Sequence, residues 1–189
     1  MHDFFLNLDR HLFYLINHEW GNAVFDVVMP VMRNARFWIP FYVFLIIFII
    51  WRYKKHGAIL IVFLALSAGF ADYTSASIIK PAVQRLRPCR DPITANTDIS
   101  RAPCGTGYSF PSTHATDHFA MAVFLSCLFY KYGKWIAPAL LIWAAVICYA
   151  QVYVGVHFPI DVTIGALYGS LVGWLFSLAF RKTVHGFSV

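Results

Sequence analysis

Four long runs almost free of charge constrain this chain more than any other feature. They are Phe37–Tyr53, Gly57–Ile79, Trp135–Val156 and Pro159–Phe180. A membrane crossing takes about 20 apolar residues as a helix, and these runs approach or reach that length. A fifth run, Asp117–Tyr130, is shorter and would recruit flanking residues such as Thr113. Composition agrees. Only 13% of residues are charged and 59% are hydrophobic, whereas a soluble domain carries about a quarter charged residues. The expectation is an all-α, polytopic membrane bundle of about five transmembrane helices. A length of 189 residues makes residues 1–189 a single domain. The formal charge of +6 includes no long basic stretch, so it points to basic flanks and a basic pocket rather than to nucleic acid. The start "MHDFFLNLDR" has neither the basic region nor the uninterrupted apolar core of a cleavable signal.

Residues 1–36 hold no complete span. Phe5, Leu8, Leu12 and Leu15 recur at helical spacing against Asn7, Asp9 and Arg10, the pattern of an amphipathic helix lying in the interface. Ala23–Met32 is apolar but short and is interrupted by Asp26 and Pro30, so it reads as a second interfacial or re-entrant piece. The one long polar link, Lys80–Pro111, is where function is expected. The other links and the C-terminal flank carry Arg52, Lys54, Lys55, Lys131, Lys134, Arg181 and Lys182 and no acid. The positive-inside rule alone is nearly balanced, with seven Lys and Arg here against eight elsewhere, but five of those eight lie in or beside the long loop, where a ligand role explains them. The cysteines decide the orientation and put these flanks in the cytoplasm. Cys89 and Cys104 share the long loop and could close it as a disulfide, which requires an oxidising compartment. The expected location is a bacterial inner membrane, with the loop in the periplasm.

Three polar clusters then fall on the outer side. In "KPAVQRLRP", a continued helix would put Lys80, Gln84 and Arg87 on one face as an anion site; a snorkelling basic flank is the plainer alternative. In "SFPSTHATDHFA", Ser112 reads as an N-cap. The free amides behind it would face an anion, and His114 could donate a proton there. In "YAQVYVGVHFPIDV", Pro159 fits the first position of the last helix and Asp161 its first turn. Asp161 would reach back to His157 and fix its tautomer, leaving one ring nitrogen as a nucleophile or base.

This ordered set resembles the type 2 phosphatidic acid phosphatase family, which shares its site with vanadium haloperoxidases and glucose-6-phosphatase. The family pattern is K-x6-R-P, then P-S-G-H, then S-R-x5-H-x3-D. The chain has Lys80 to Arg87-Pro88, then "PSTH" with Thr113 in place of glycine, then His157 and Asp161. The similarity covers roughly Gly57 to Phe180, with residues 57–180 as the phosphatase core behind an interfacial segment, residues 1–36. It implies His157 as nucleophile, Asp161 as its orienting partner and His114 as proton donor to the leaving oxygen. Lys80, Arg87, Ser112 and Thr113 would surround the phosphate. It implies neither metal nor cofactor. The partners expected are a lipid phosphate and the bilayer, with no oligomer required.

The Ser-Arg pair of the third motif is Ala150-Gln151 here. Gln151 can donate a hydrogen bond but cannot offset charge, so Arg85 or Arg90 is expected to compensate. His114 and His118 also have a metal-ligand spacing, but "HATDH" lacks the glutamate of zinc hydrolases. Asp72 reads as part of a buried hydrogen-bond network with Tyr73, Thr74, Ser75 and Ser77. Gly165, Gly169 and Gly173 form a small-residue ridge suited to packing within the bundle. The favoured function is a metal-independent lipid phosphate or pyrophosphate phosphatase. Candidate substrates are undecaprenyl pyrophosphate, phosphatidylglycerol phosphate, phosphatidic acid and lipid A phosphates. Alternatives are an anion transporter or channel, and an impaired relative that binds a lipid phosphate without hydrolysing it.

Overall fold

The computed structural model describes residues 2–184 and is all-helical, with no strand among the described residues. Helices are the outcome expected of chain in lipid, where every backbone N–H and C=O must be bonded internally. The elements are α1 (His2–Tyr14), α2 (Ala23–Met32), α3 (Ala35–Tyr73), α4 (Lys80–Val83), α5 (Thr113–Phe129), α6 (Ile136–Tyr153) and α7 (Pro159–Thr183). Among the described residues three stretches are long and apolar enough to cross a membrane: Ala35–Arg90, Ile136–Tyr153 and Pro159–Thr183.

α3 is a hairpin rather than one rod. Lys54 adopts φ 51°, ψ −125°, outside the helical region. A Cβ on Gly57 would lie 2.3 Å from the Ile49 carbonyl oxygen, although residues eight apart in a straight helix are about 12 Å apart. The chain therefore folds back at "RYKK". Its limbs, residues 35–53 and 55–73, face each other across a cavity lined by Tyr42, Leu45, Ile61 and Leu64.

α5 is the hub. It packs most extensively on α7, then on α6 and α3. The glycine ridge sets the α5–α7 contact. A Cβ on Gly165, Gly169 or Gly173 would meet the carbonyl oxygen of Ser112, Thr116 or Ala120 at 2.7, 2.1 or 2.3 Å. Every fourth residue of α7 thus lies against every fourth residue of α5, so the ridge is used inside the bundle. At the far end, Ile49, Leu60, Phe124, Leu128 and Phe180 close an apolar core.

α1 is amphipathic as expected, with Phe4, Phe5, Leu8 and Leu12 exposed. The inward stripe differs from a simple polar-out reading, because Asp9, Phe13 and Asn17 are the buried residues. Asn17 donates to the carbonyls of Ile99 (3.0 Å) and Tyr153 (2.9 Å) and accepts from the Ile99 amide (2.8 Å). It ties the long loop to the end of α6. A Cys89–Cys104 disulfide closes that loop, and an Arg10–Asp91 ion pair at 3.1 Å fastens it to α1. α2 lays Met29 against Ala150, Tyr153 and Val154. Asp72 lies on the exposed surface of α3, with Tyr73 and Ser77, so it does not centre a buried network. Thr74 is instead the acceptor for Tyr168 Oη at 2.7 Å.

Candidate active site

The turn carrying His157 is built by two helix boundaries. α6 stops where Gly155 takes φ 87°, the left-handed conformation that ends many helices. A Cβ there would also strike Asp98 Oδ1 at 2.2 Å. α7 restarts at Pro159 in its first position. Between them Val154, Val156, His157 and Phe158 are all buried. Asp161, in the first turn of α7, accepts the Phe158 amide at 2.9 Å, the capping geometry expected of it.

The His157–Asp161 link is less direct than sequence spacing implies. Asp161 Oδ2 lies 3.6 Å from His157 Nδ1. Ser109 Oγ stands 3.3 Å from the same ring nitrogen and donates to Asp161 Oδ2. A hydroxyl therefore bridges imidazole and carboxylate. Ser109 opens the "SFPSTH" run, but spacing alone gives no sign that it would reach a residue 48 positions away. On its other oxygen Asp161 takes Arg85 Nη1 at 2.6 Å. Arg85 Nη2 pairs with Asp9 Oδ2 at 2.5 Å, and its guanidinium stacks over Phe158. Asp9 Oδ1 accepts the Ile160 amide at 2.8 Å. His157, Ser109, Asp161, Arg85 and Asp9 thus form one continuous chain.

The first motif is assembled differently from the helical face expected. α4 ends at Val83, and Gln84 sits exposed in the left-handed region at φ 54°, ψ 29°. Lys80 and Arg87 nevertheless converge. Lys80 Nζ donates to the carbonyls of Tyr108 (2.9 Å) and Ser109 (3.2 Å). Arg87 donates to Gly107 and Val156 carbonyls and lies 3.4 Å from His157 Nε2. The two cations proposed to replace the missing arginine are engaged elsewhere. Arg85 holds Asp9 and Asp161, and Arg90 donates to the Thr106 carbonyl at 2.9 Å.

The second motif starts α5. Ser112 is buried and caps the helix by accepting the Ala115 amide at 3.4 Å. Its own amide donates to the Asp161 carbonyl at 3.0 Å, which joins the starts of α5 and α7. Thr113 occupies the first helical position. Lys54 and Gln84 alone among the described non-glycine residues have positive φ, so the branched side chain of Thr113 is accommodated. His114 is half-buried and lines a cleft of about 350 Å³ with Arg33, Asn34 and Arg101. His118 is tied down by other partners, the His114 carbonyl at 2.7 Å and Tyr42 Oη at 3.0 Å. Among the described residues no group of three His, Cys, Asp or Glu is placed to hold a metal ion.

Two electrostatic facts define what the site can do. Burial pushes His157 down to about 4, against the opposing pull of Asp161, so the ring is neutral at pH 7 with a lone pair available. Gln151 is fully buried with neither its amide oxygen nor its nitrogen paired. Unpaired buried amides are uncommon in native folds and mark places where a further partner belongs.

Comparison with known proteins places the chain. It is 32% identical over 185 residues to the lipid A 4'-phosphatase of Bacteroides thetaiotaomicron, covering 96% of this chain and 81% of that protein. It is 31% identical over 172 residues to the undecaprenyl-diphosphatase of Sulfolobus acidocaldarius, covering 90% and 77%. In fold it is similar to the transmembrane PAP2 type phosphatidylglycerolphosphate phosphatase from Bacillus subtilis, with TM-score 0.73 and 18% identity, covering 97% of this chain and 89% of that one. Residues 56–184 match the PAP2 superfamily and contain Lys80, Arg87, Ser112, His114, His157 and Asp161; the chain is a multi-pass membrane protein belonging to the PAP2 superfamily.

Proposed function

We propose that this protein is a lipid phosphatase that hydrolyses a membrane phosphate or pyrophosphate through a phosphohistidine on His157. One observation carries the reading. A neutral, buried imidazole is oriented on Nδ1 by Ser109 and Asp161, while its Nε2 lies 3.4 Å from Arg87. That arrangement fixes one tautomer and leaves the other nitrogen facing a cation suited to phosphoryl oxygens.

The reaction follows from it. The Nε2 lone pair attacks phosphorus, and the bond from phosphorus to the lipid oxygen breaks. His114, at the start of α5, takes up a proton from solvent when the anionic phosphate is bound beside it and gives that proton to the leaving oxygen. Water then attacks phosphorus, His114 takes the proton back, the P–N bond breaks and inorganic phosphate leaves. Lys80, Arg87, Ser112 and the amides at the head of α5 hold the phosphoryl oxygens, and Gln151 adds an uncharged donor. Positioned charge of this kind supplies most of the catalysis in phosphoryl transfer. No step requires a metal.

The site lies at the end of the bundle opposite the exposed basic links, and with its own cations assigned to binding the remaining Lys and Arg favour a site facing away from the cytoplasm. The Cys89–Cys104 disulfide suits an oxidising space such as the periplasm. Lipid A 4'-phosphate and undecaprenyl diphosphate head the substrate list, because relatives of comparable identity carry those activities in their names. Purified protein in EDTA, presented with both lipids, with phosphatidylglycerol phosphate and with phosphatidic acid, is expected to release phosphate from at least one. His157→Ala is expected to lower that rate by at least about 10⁴-fold, as when other nucleophiles are deleted. Equal release by wild type and His157→Ala, or release only with added metal, defeats the reading.

A further inference from the structure

We infer that Arg33, from the end of α2, supplies the phosphate-clamping cation that position 151 lacks. This deepens the proposed function and rests on it. Three observations lead there. First, α2 packs on the very segment that carries Gln151: Met29 is buried against Ala150, Tyr153 and Val154. Arg33 follows Met29 by four residues and its amide donates to the Met29 carbonyl at 3.1 Å. Residues at that spacing share a helix face, so Arg33 extends from the face of α2 that meets the end of α6.

Second, Arg33 and His114 line the same cleft, and the Arg33 charge acts on both His114 and Arg87. The other arginine of the cleft, Arg101, is engaged with Asp26 at 2.5 Å, with the Asn17 carbonyl at 2.6 Å and with the ring of Tyr153. Arg33 Nε, by contrast, is buried and has no hydrogen-bond partner. Burial pulls the guanidinium below the usual arginine range, yet arginine keeps its charge in proteins.

Third, the charges need an anion. Lys80 is held on the Tyr108 and Ser109 carbonyls and Arg87 beside His157, and Arg33 shares the cleft of His114, whereas the site's buried carboxylate, Asp161, is already paired with Arg85. Like charges in a poorly solvated space repel strongly. A phosphate dianion between them relieves that repulsion and gives Arg33 Nε and the Gln151 amide the partners they lack. The substitution at 151 is thereby offset by a cation from a neighbouring helix, on the side of the cleft where His114 meets the leaving oxygen.

The test compares wild type, Arg33→Ala, Arg33→Gln and Arg33→Lys, with Arg36→Ala, an exposed cation three residues on, as control. Each is assayed for hydrolysis of the best lipid substrate and for inhibition by vanadate, and its melting in detergent shows which variants are folded. Arg33→Ala and Arg33→Gln are expected to raise KM and the vanadate inhibition constant at least tenfold. Arg33→Lys should fall between them and wild type, and Arg36→Ala should match wild type. Wild-type vanadate inhibition in either folded neutral variant overturns the inference, as does an equal loss in Arg36→Ala. If His157→Ala is inactive while both neutral variants keep wild-type KM, only the role of Arg33 falls. If His157→Ala stays active, the phosphohistidine reading itself falls.

Discussion

The two ends of the bundle carry cations in similar number and use them in opposite ways. At one end Arg52, Lys54, Lys55, Lys131, Lys134, Arg181 and Lys182 are all exposed. At the other, α5 begins beside Lys80, Arg85, Arg87 and Arg101, which are buried or half-buried and bonded to carbonyls, carboxylates or rings. The 17 residues of α5 separate the ends by about 25 Å. Charge count does not distinguish a flank from a site. Desolvation does, because a long side chain that reaches water needs no partner, even where it has one, as Arg52 over the Tyr53 ring and Arg181 on the Cys127 carbonyl do, whereas a buried one must be paired.

The sharpest test of that contrast is Arg85→Ala. It leaves Asp9 and Asp161 as buried carboxylates without their cation, a loss of about 3–5 kcal/mol. Thermal melting in detergent should show it, and phosphate release should drop by about 10²-fold as His157 loses its alignment. An unchanged melting temperature would mean that the site end, too, is only a basic flank.

A pH profile is the next largest effect. His157 is held at about 4 instead of its ordinary 6.5. A lowered histidine binds its proton more weakly when folded, so its stability contribution is complete above 6.5 and is lost as pH falls towards 4. The acid limb of kcat/KM is expected near 4, falling about tenfold per pH unit below it. A limb centred near 6.5 would contradict the buried, neutral ring. Lys131→Ala and Lys182→Ala should do least. Both are expected to shift stability by no more than about 0.5 kcal/mol and to leave phosphate release unchanged.

Much of this contrast is legible in the sequence, though unevenly. The apolar runs mark the helices because their length is set by the bilayer. The "RYKK" reversal and the α7 restart at Pro159 follow from local chemistry. The motif residues Lys80, Arg87, Ser112, His157 and Asp161 do meet, but the route between the first two does not follow the helical spacing, because Gln84 breaks the helix. What stays hidden is tertiary. Ser109 bridging His157 to Asp161, Asp9 holding Arg85 and Arg33 reaching the cleft all join residues from distant parts of the chain. No local period encodes such meetings. The intramembrane acids show the same limit. Asp72 stood out in the sequence yet lies on the surface, while Asp117 Oδ1 is buried without a partner.

The clasp of Asp9 on Arg85 and the Ile160 amide also has a consequence in time. Ile160 is made 151 residues after Asp9. α1 therefore has no anchor at the site until α7 has been threaded into the bilayer. A chain inserted only as far as α6 holds its cations but neither His157 nor its carboxylate partner, so the site is completed only with α7. The same two bonds that align the imidazole thus act as the closing stitch of membrane assembly.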